Sequence, residues 1–141
     1  MSLQSPYVSA YKESFFEPNS HATITRECCL DMHLGQNKSK AEFIKEKQIW
    51  RWLGQSAAAL AQAHSHDLVH GDLDLSSLTL TAYGDIKLSN FSLKPPTTKN
   101  VHQLSPEIRA GQPYTTASDI WSLGFCFFDL CTATTKTASM Q

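Results

Sequence analysis

Between residues 117 and 131 the side chains Trp121, Leu123, Phe125, Phe127, Phe128 and Leu130 occupy nearly every side of one helix. A helix that is apolar all round has to be surrounded, so the chain is expected to gather its other elements on this one. Burying one aromatic side chain removes about 150–250 Å² from water, which is worth a few kcal/mol at about 25 cal/mol/Å². The remaining elements are too few for Trp121, Phe125, Phe127 and Phe128 all to face inward. An exposed apolar patch is therefore expected on this helix, and with it self-association or a covering partner.

Upstream, residues 8–16 and 22–27 read as two short strands joined by the turn-rich Glu17-Pro18-Asn19-Ser20. Residues 33–40 form a polar connector. From about residue 45 to residue 64, Ile49, Leu53, Ala57, Leu60 and Ala61 recur at helical spacing and predict a helix, with Asp67 beginning the loop that follows. Leu78-Thr79-Leu80 and Ile86-Lys87-Leu88 flank the turn Ala82-Tyr83-Gly84-Asp85 and predict a small hairpin. Residues 92–100, with Pro95-Pro96, resist regular structure, and the Thr-rich residues 132–141 are expected to be a disordered tail. The fold class that follows is α+β, dominated by helices.

Two polar segments carry the chemistry. Val69-His70-Gly71-Asp72-Leu73-Asp74-Leu75-Ser76-Ser77-Leu78 and Gly84-Asp85-Ile86-Lys87-Leu88-Ser89-Asn90-Phe91-Ser92 resemble the catalytic loop and the metal-binding loop of protein kinases, H-R-D-L-K-x-x-N and D-F-G. His70, Asp72 and Phe91 keep the pattern. Gly71, Asp74, Ser77, Asn90 and Ser92 replace its arginine, lysine, asparagine, aspartate and glycine. Leu104-Ser105-Pro106-Glu107 resembles the motif closing the activation segment, and Ser118-Asp119-Ile120-Trp121-Ser122-Leu123-Gly124 resembles the opening of the central helix of the C-lobe. Phe43-Ile44-Lys45-Glu46-Lys47-Gln48-Ile49-Trp50-Arg51-Trp52 is similar to a helix opening of the NIMA-related (Nek) serine/threonine kinases. The resemblance implies a partial kinase domain over residues 1–131, with residues 1–27 as the end of the N-lobe strands and residues 28–131 as the hinge and the first part of the C-lobe. No counterpart of the glycine-rich loop or strand lysine precedes the first strand match, and the later C-lobe helices have none either.

What the resemblance implies residue by residue is a scaffold kept and a chemistry altered. Asp72 holds the position that accepts a proton from the substrate hydroxyl. Ser77 and Asn90 hold the magnesium positions, and a neutral amide with a short hydroxyl is a poor set for a hard cation that prefers charged oxygen. In both residues local hydrogen bonding in turns is the competing role. Asp74 reverses the charge of a lysine that would face the transferred phosphate, a repulsion of about 4 kcal/mol for unit charges ~4 Å apart at an effective dielectric of ~20. Otherwise it is a surface aspartate. Gly71 removes the guanidinium fork that would read a phosphate on the activation segment, where Thr97 and Thr98 lie. Glu27 and Cys29 fall at the hinge, and Thr79 falls at the floor of the nucleotide site. His70 and Phe91 fall in the internal hydrophobic spine, and Asp119 is expected to hold the catalytic-loop backbone. Glu107 is expected to be a solvated carboxylate at a helix start. ATP and magnesium are implied by the resemblance alone, with weak binding or none.

Twelve Lys and Arg against thirteen Asp and Glu leave a formal charge of −1 and no basic run, which argues against nucleic acid or an anionic membrane as partner. No signal-peptide pattern opens the chain, and a cytoplasmic protein is expected. Cys28, Cys29, Cys126 and Cys131 are expected to be buried free thiols. His64, His66 and His70 do not have the spacing of a zinc site. Two functions follow as expectations. One is a Nek-like pseudokinase that acts by binding protein partners through its C-lobe surface. The other is an atypical serine/threonine kinase using ATP, with these residues as part of a longer product.

Overall fold

The computed structural model describes residues 6–9, 11–16, 22–26, 44–91 and 104–138. The elements are β1 (Tyr11–Phe16), β2 (Ala22–Arg26), α1 (Glu46–His64), β3 (Leu78–Leu80), β4 (Ile86–Leu88), α2 (Pro106–Arg109) and α3 (Thr116–Ala138). This is the α+β arrangement expected from the sequence. β1 and β2 pair antiparallel from Tyr11↔Arg26 to Phe16↔Ala22, with a register shift between Tyr11 and Glu13. β3 and β4 form the second hairpin, with Leu78 opposite Leu88 and Leu80 opposite Ile86. Val8 adds a parallel bridge to Leu88, held by Ser9 N–H to the Leu88 carbonyl (2.8 Å) and Leu88 N–H to the Tyr7 carbonyl (2.7 Å).

The core lies where α1, the β3–β4 hairpin and α3 meet. It contains Trp52, Ala59 and Leu60 of α1, Leu73 and Leu75 of the intervening loop, Leu78, Leu80, Ile86 and Leu88 of the hairpin, and Leu123, Cys126, Phe127 and Leu130 of α3. The buried arc of α1 differs from the expected stripe. Trp52, Ser56, Ala59, Leu60 and Ala63 face inward, Ile49 and Leu53 are half-buried, and Ala57 and Ala61 are exposed. Large side chains set the rotation of a helix more strongly than alanines do, and the Trp52 indole turns α1 onto the hairpin. Ser56 can follow it inward because its hydroxyl donates to the Trp52 carbonyl one turn back (2.8 Å).

Hydrogen bonds join α1 to the β3–β4 turn. The indole N–H of Trp52 donates to the Gly84 carbonyl (2.9 Å), and Gln48 donates to the same oxygen (3.2 Å). Gln55 accepts from the Ile86 amide (2.9 Å) and donates to Asp85 (2.6 Å), which also pairs with Arg51.

Two expectations are corrected here. α3 continues to Ala138, so the residues from Thr132 to Ala138 are further turns of helix where a disordered tail was expected. Helix propagation adds one hydrogen bond per residue once nucleated, and that is enough to carry a Thr-rich end. Of the cysteines, Cys126 is buried but Cys131 is exposed, because a spacing of five puts them on different sides of α3. Cys28 and Cys29, the connector at 33–40 and the loop at 92–100 lie outside the described residues. No described helix is long and apolar enough to cross a membrane.

Candidate functional site

α1 ends at His64 with Ser65 as its cap, and Asp67 then takes a left-handed backbone (φ 56°), a conformation that aspartate tolerates better than most residues. The chain then turns under α3 as the loop from Leu68 to Ser77 and enters β3. Asp119, in the first turn of α3 and wholly buried, holds this loop. Its carboxylate accepts from the amides of His70 (2.8 Å) and Gly71 (3.2 Å). It also accepts from the Tyr114 hydroxyl (3.0 Å) and the His64 Nε2–H (2.9 Å). A buried charge is tolerated only when hydrogen bonds replace its water, and here four donors converge on one side chain. Burial, with the negative charge of Asp119 beside it, pushes the Tyr114 phenol pKa well above its ordinary range.

His70 is buried behind the loop. Its Nε2–H donates to the Ser89 carbonyl (2.8 Å), and its Nδ1 accepts the Asp72 amide (3.3 Å). An amide donor on one nitrogen and a carbonyl acceptor on the other define a neutral imidazole protonated at Nε2. Its ring lies 4.6 Å from that of Phe91, centroid to centroid. His70 thus ties the loop bearing Asp72 to the segment bearing Asn90 and Phe91.

Gly71 sits at φ 82° and Asn90 at φ 63°, both in the left-handed region. Glycine enters it without a Cβ penalty and asparagine is among the few other residues that do so readily. Both substitutions therefore suit the backbone they occupy, whatever charge they remove.

Asp74 departs from the expectation of a plain surface aspartate. Its Oδ1 accepts from the amides of Ser76 (2.8 Å) and Ser77 (3.0 Å) and is within 3.2 Å of the Ser77 hydroxyl. This is an Asx-type turn, and it organises the backbone between Asp72 and β3. The Ser77 hydroxyl, almost wholly buried, also lies 3.4 Å from the Asp72 carbonyl. The hydroxyl of Thr79 is buried 3.3 Å from that of Ser89, and Ser89 in turn donates to the Ser77 carbonyl through both its amide (2.9 Å) and its hydroxyl (3.2 Å). Asp72 is half-buried and Asn90 exposed at the mouth of this arrangement.

The donor set fits magnesium poorly. Ser77 offers a hydroxyl already engaged within the turn, and Asn90 offers a neutral amide, where a hard cation prefers several charged oxygens. Among the described residues no group of three or more His, Cys, Asp or Glu could hold a metal ion. Glu27 and Cys29 lie outside the described residues.

Glu107 is not merely solvated. The Ser118 hydroxyl donates to its carboxylate (2.6 Å) and accepts the Thr115 amide (3.2 Å), tying α2 to the start of α3. That hydroxyl, with the glutamate's own backbone amide assisting, holds the Glu107 carboxyl below its ordinary pKa of 4.5. A depressed folded-state pKa contributes stability above the unfolded value, and that contribution is lost as pH falls through the folded value. Ser118→Ala is expected to move the Glu107 titration midpoint up toward 4.5, read by carbon-detected NMR. An unchanged midpoint would show that other donors alone hold it.

Sequence reasoning missed His64 and Tyr114 as partners of Asp119. No local pattern announces either, since His64 lies 55 residues away and Tyr114 sits in an irregular stretch before α3.

Comparison with known proteins agrees with this geometry. The chain is 32% identical over 139 residues to Serine/threonine-protein kinase Nek6 of Oryza sativa subsp. japonica, covering 92% of this chain and 26% of the rice protein. It is 32% identical over 142 residues to Serine/threonine-protein kinase Nek1 of Mus musculus, covering 92% of this chain and 12% of the mouse protein. Serine/threonine-protein kinase Nek7 of Arabidopsis thaliana is 29% identical over 140 residues, with 92% and 24% covered. The chain thus spans about a quarter or less of the length of these relatives. Residues 1–140 match the protein kinase domain, and with the loop, the buried Asp119 and the His70–Phe91 contact in the family's order, the chain belongs to the protein kinase family.

Proposed function

We propose that this chain is a Nek-like kinase domain that has given up phosphoryl transfer and acts by binding protein partners through its C-lobe surface. The observation that carries the reading is Asp74. Where the family places a phosphate-facing lysine, this chain has a carboxylate, and that carboxylate is built into the loop by the Ser76 and Ser77 amides. Phosphoryl transfer depends on neutralising charge that spreads over phosphate oxygens, and a fixed anion opposes this. Asn90 and Ser77 as neutral ligand positions support the same reading, and a cytoplasmic location goes with it.

A second reading, an atypical serine/threonine kinase, draws on the loop scaffold. Asp119 and His70 hold the amides of His70, Gly71 and Asp72, so a proton acceptor remains presented. One assay separates the two. Purified protein incubated with radiolabelled ATP, magnesium and a generic serine/threonine substrate is expected to show no transfer above an Asp72→Ala control. Turnover that disappears in that control would overturn the non-catalytic reading. Calorimetric titration is likewise expected to show ATP affinity weaker than micromolar and unchanged by magnesium.

A further inference from the structure

Asp74-Leu75-Ser76-Ser77 has the make-up of an Asx turn, an aspartate followed two residues later by an amide that its carboxylate can reach. Leu75 anchors the turn in the core. Four donors lie within reach of a single oxygen, Asp74 Oδ1: the amides of Ser76 (2.8 Å) and Ser77 (3.0 Å) and the hydroxyls of Ser76 and Ser77 (3.2 Å). Hydrogen bonds to an ionised acceptor are roughly twice as strong as neutral ones. A cation organises a loop by drawing acceptor oxygens to one point, and here the centre has the opposite polarity, an anion that draws in donors.

Ser77 passes this hold on in two directions. Its amide also meets the Asp74 carbonyl (3.1 Å), and its hydroxyl lies 3.4 Å from the Asp72 carbonyl. Its own carbonyl accepts the amide (2.9 Å) and the hydroxyl (3.2 Å) of Ser89, the residue before Asn90. The two segments that carry the magnesium positions are thus joined by hydrogen bonds. Ser77 is moreover only 1% exposed. Magnesium dehydrates reluctantly and keeps several waters in protein sites, so a hydrated ion has no approach to this hydroxyl, and Asn90 adds only a neutral amide at the surface.

We propose that Asp74 does by hydrogen bonding what ligation would otherwise do: it holds the segment from Asp72 to Ser77 against Ser89, so that the loop keeps one shape whether or not nucleotide and magnesium are present. The inference rests on the protein-binding reading above and adds its regulation. The loop surface offered to a partner is not gated by ATP or by a divalent cation. The same geometry separates the two properties of Asp74, its acceptor oxygen and its charge. Lysine at this position has donors and no acceptor, so the exchange takes the side-chain acceptor from the Ser76 and Ser77 amides without making a metal site. Asparagine keeps the acceptor oxygen and removes only the charge.

Amide hydrogen exchange of the full chain, read residue by residue by NMR, measures the hold directly. The Ser76 and Ser77 amides are expected to exchange about tenfold more slowly than in Asp74→Ala or Asp74→Lys, with Asp74→Asn in between. Millimolar magnesium chloride, alone or with ATP, should leave the wild-type rates unchanged. Manganese chloride, a paramagnetic substitute for magnesium, should broaden the Ser77 and Asn90 signals no more than those of exposed residues elsewhere. Slower exchange on adding magnesium or ATP, selective broadening at Ser77 and Asn90, wild-type rates equal to those of Asp74→Ala, or Asp74→Asn exchanging as fast as Asp74→Ala would each overturn the inference. The first two results need no variant, so they hold even where a substitution unfolds the chain. All four can occur in a chain that transfers no phosphate, whereas turnover lost in Asp72→Ala would overturn the underlying reading and leave the exchange result standing.

Discussion

Asp119→Ala is expected to lose about 3–5 kcal/mol of stability, because it strips the acceptor from two buried backbone amides, a hydroxyl and an imidazole at once. The His70 and Gly71 amides cannot turn elsewhere, since both belong to a loop enclosed by α1, α3 and the β3–β4 hairpin. Each buried donor left without a partner costs about 1–3 kcal/mol. Urea unfolding followed by circular dichroism reads the loss as a lower midpoint at unchanged slope. Tyr114→Phe removes only one of the four donors (3.0 Å) and should cost about 0.5–1.5 kcal/mol. If Asp119→Ala shifted the midpoint no further than Tyr114→Phe does, the loop amides would have found another acceptor, and Asp119 would not be what holds the loop.

Trp52→Ala should be of similar size, about 3–5 kcal/mol, the usual cost of truncating a buried aromatic to alanine. Trp52 is 7% exposed in the core and its indole N–H reaches the Gly84 carbonyl (2.9 Å). Trp52→Phe keeps most of the packing and removes that hydrogen bond, so about 1–2 kcal/mol is expected from the bond and the small volume change. The pair of variants divides packing from hydrogen bonding in thermal or urea melts. Gln48 donates to the same carbonyl (3.2 Å), so the turn is expected to stay docked in Trp52→Phe. A Trp52→Phe loss as large as that of alanine would mean that the hydrogen bond, and not the packing, fastens the hairpin to α1.

Much of this molecule is written in local pattern. The period of Ile49, Leu53 and Leu60 announces α1, the alternation around Gly84 announces the β3–β4 hairpin, and the aromatic run announces α3. These signals are legible because helix and strand periods act between near neighbours. The resemblance of the segments around His70, Asp72 and Phe91 gives the family for the same reason: the motifs are contiguous. Orientation was less legible. Ala57 and Ala61 fit the stripe of α1 by period yet face solvent, since a small side chain gains little from burial while Trp52, off the expected line, gains a great deal.

Charge identity, spacing and family order could be read from the sequence by itself: Asp74 in place of lysine, Asn90 in place of aspartate, the neutral ligand position at Ser77. Only the tertiary structure decided what those residues do. Asp74 turned out to be the acceptor of its own loop, Gly71 and Asn90 to occupy left-handed backbone that suits them, and Glu107 to be bound by Ser118. His64, Tyr114 and the loop amides converge on Asp119 from separate parts of the chain. A hydrogen bond depends on direction and on distances of about 3 Å, and no periodicity along the chain encodes which distant donor will arrive at that distance. The same holds for the outer side of α3. The sequence makes the helix apolar on every side, but which aromatic side chains meet the core and which meet water depends on where α1 and the hairpin come to rest against it.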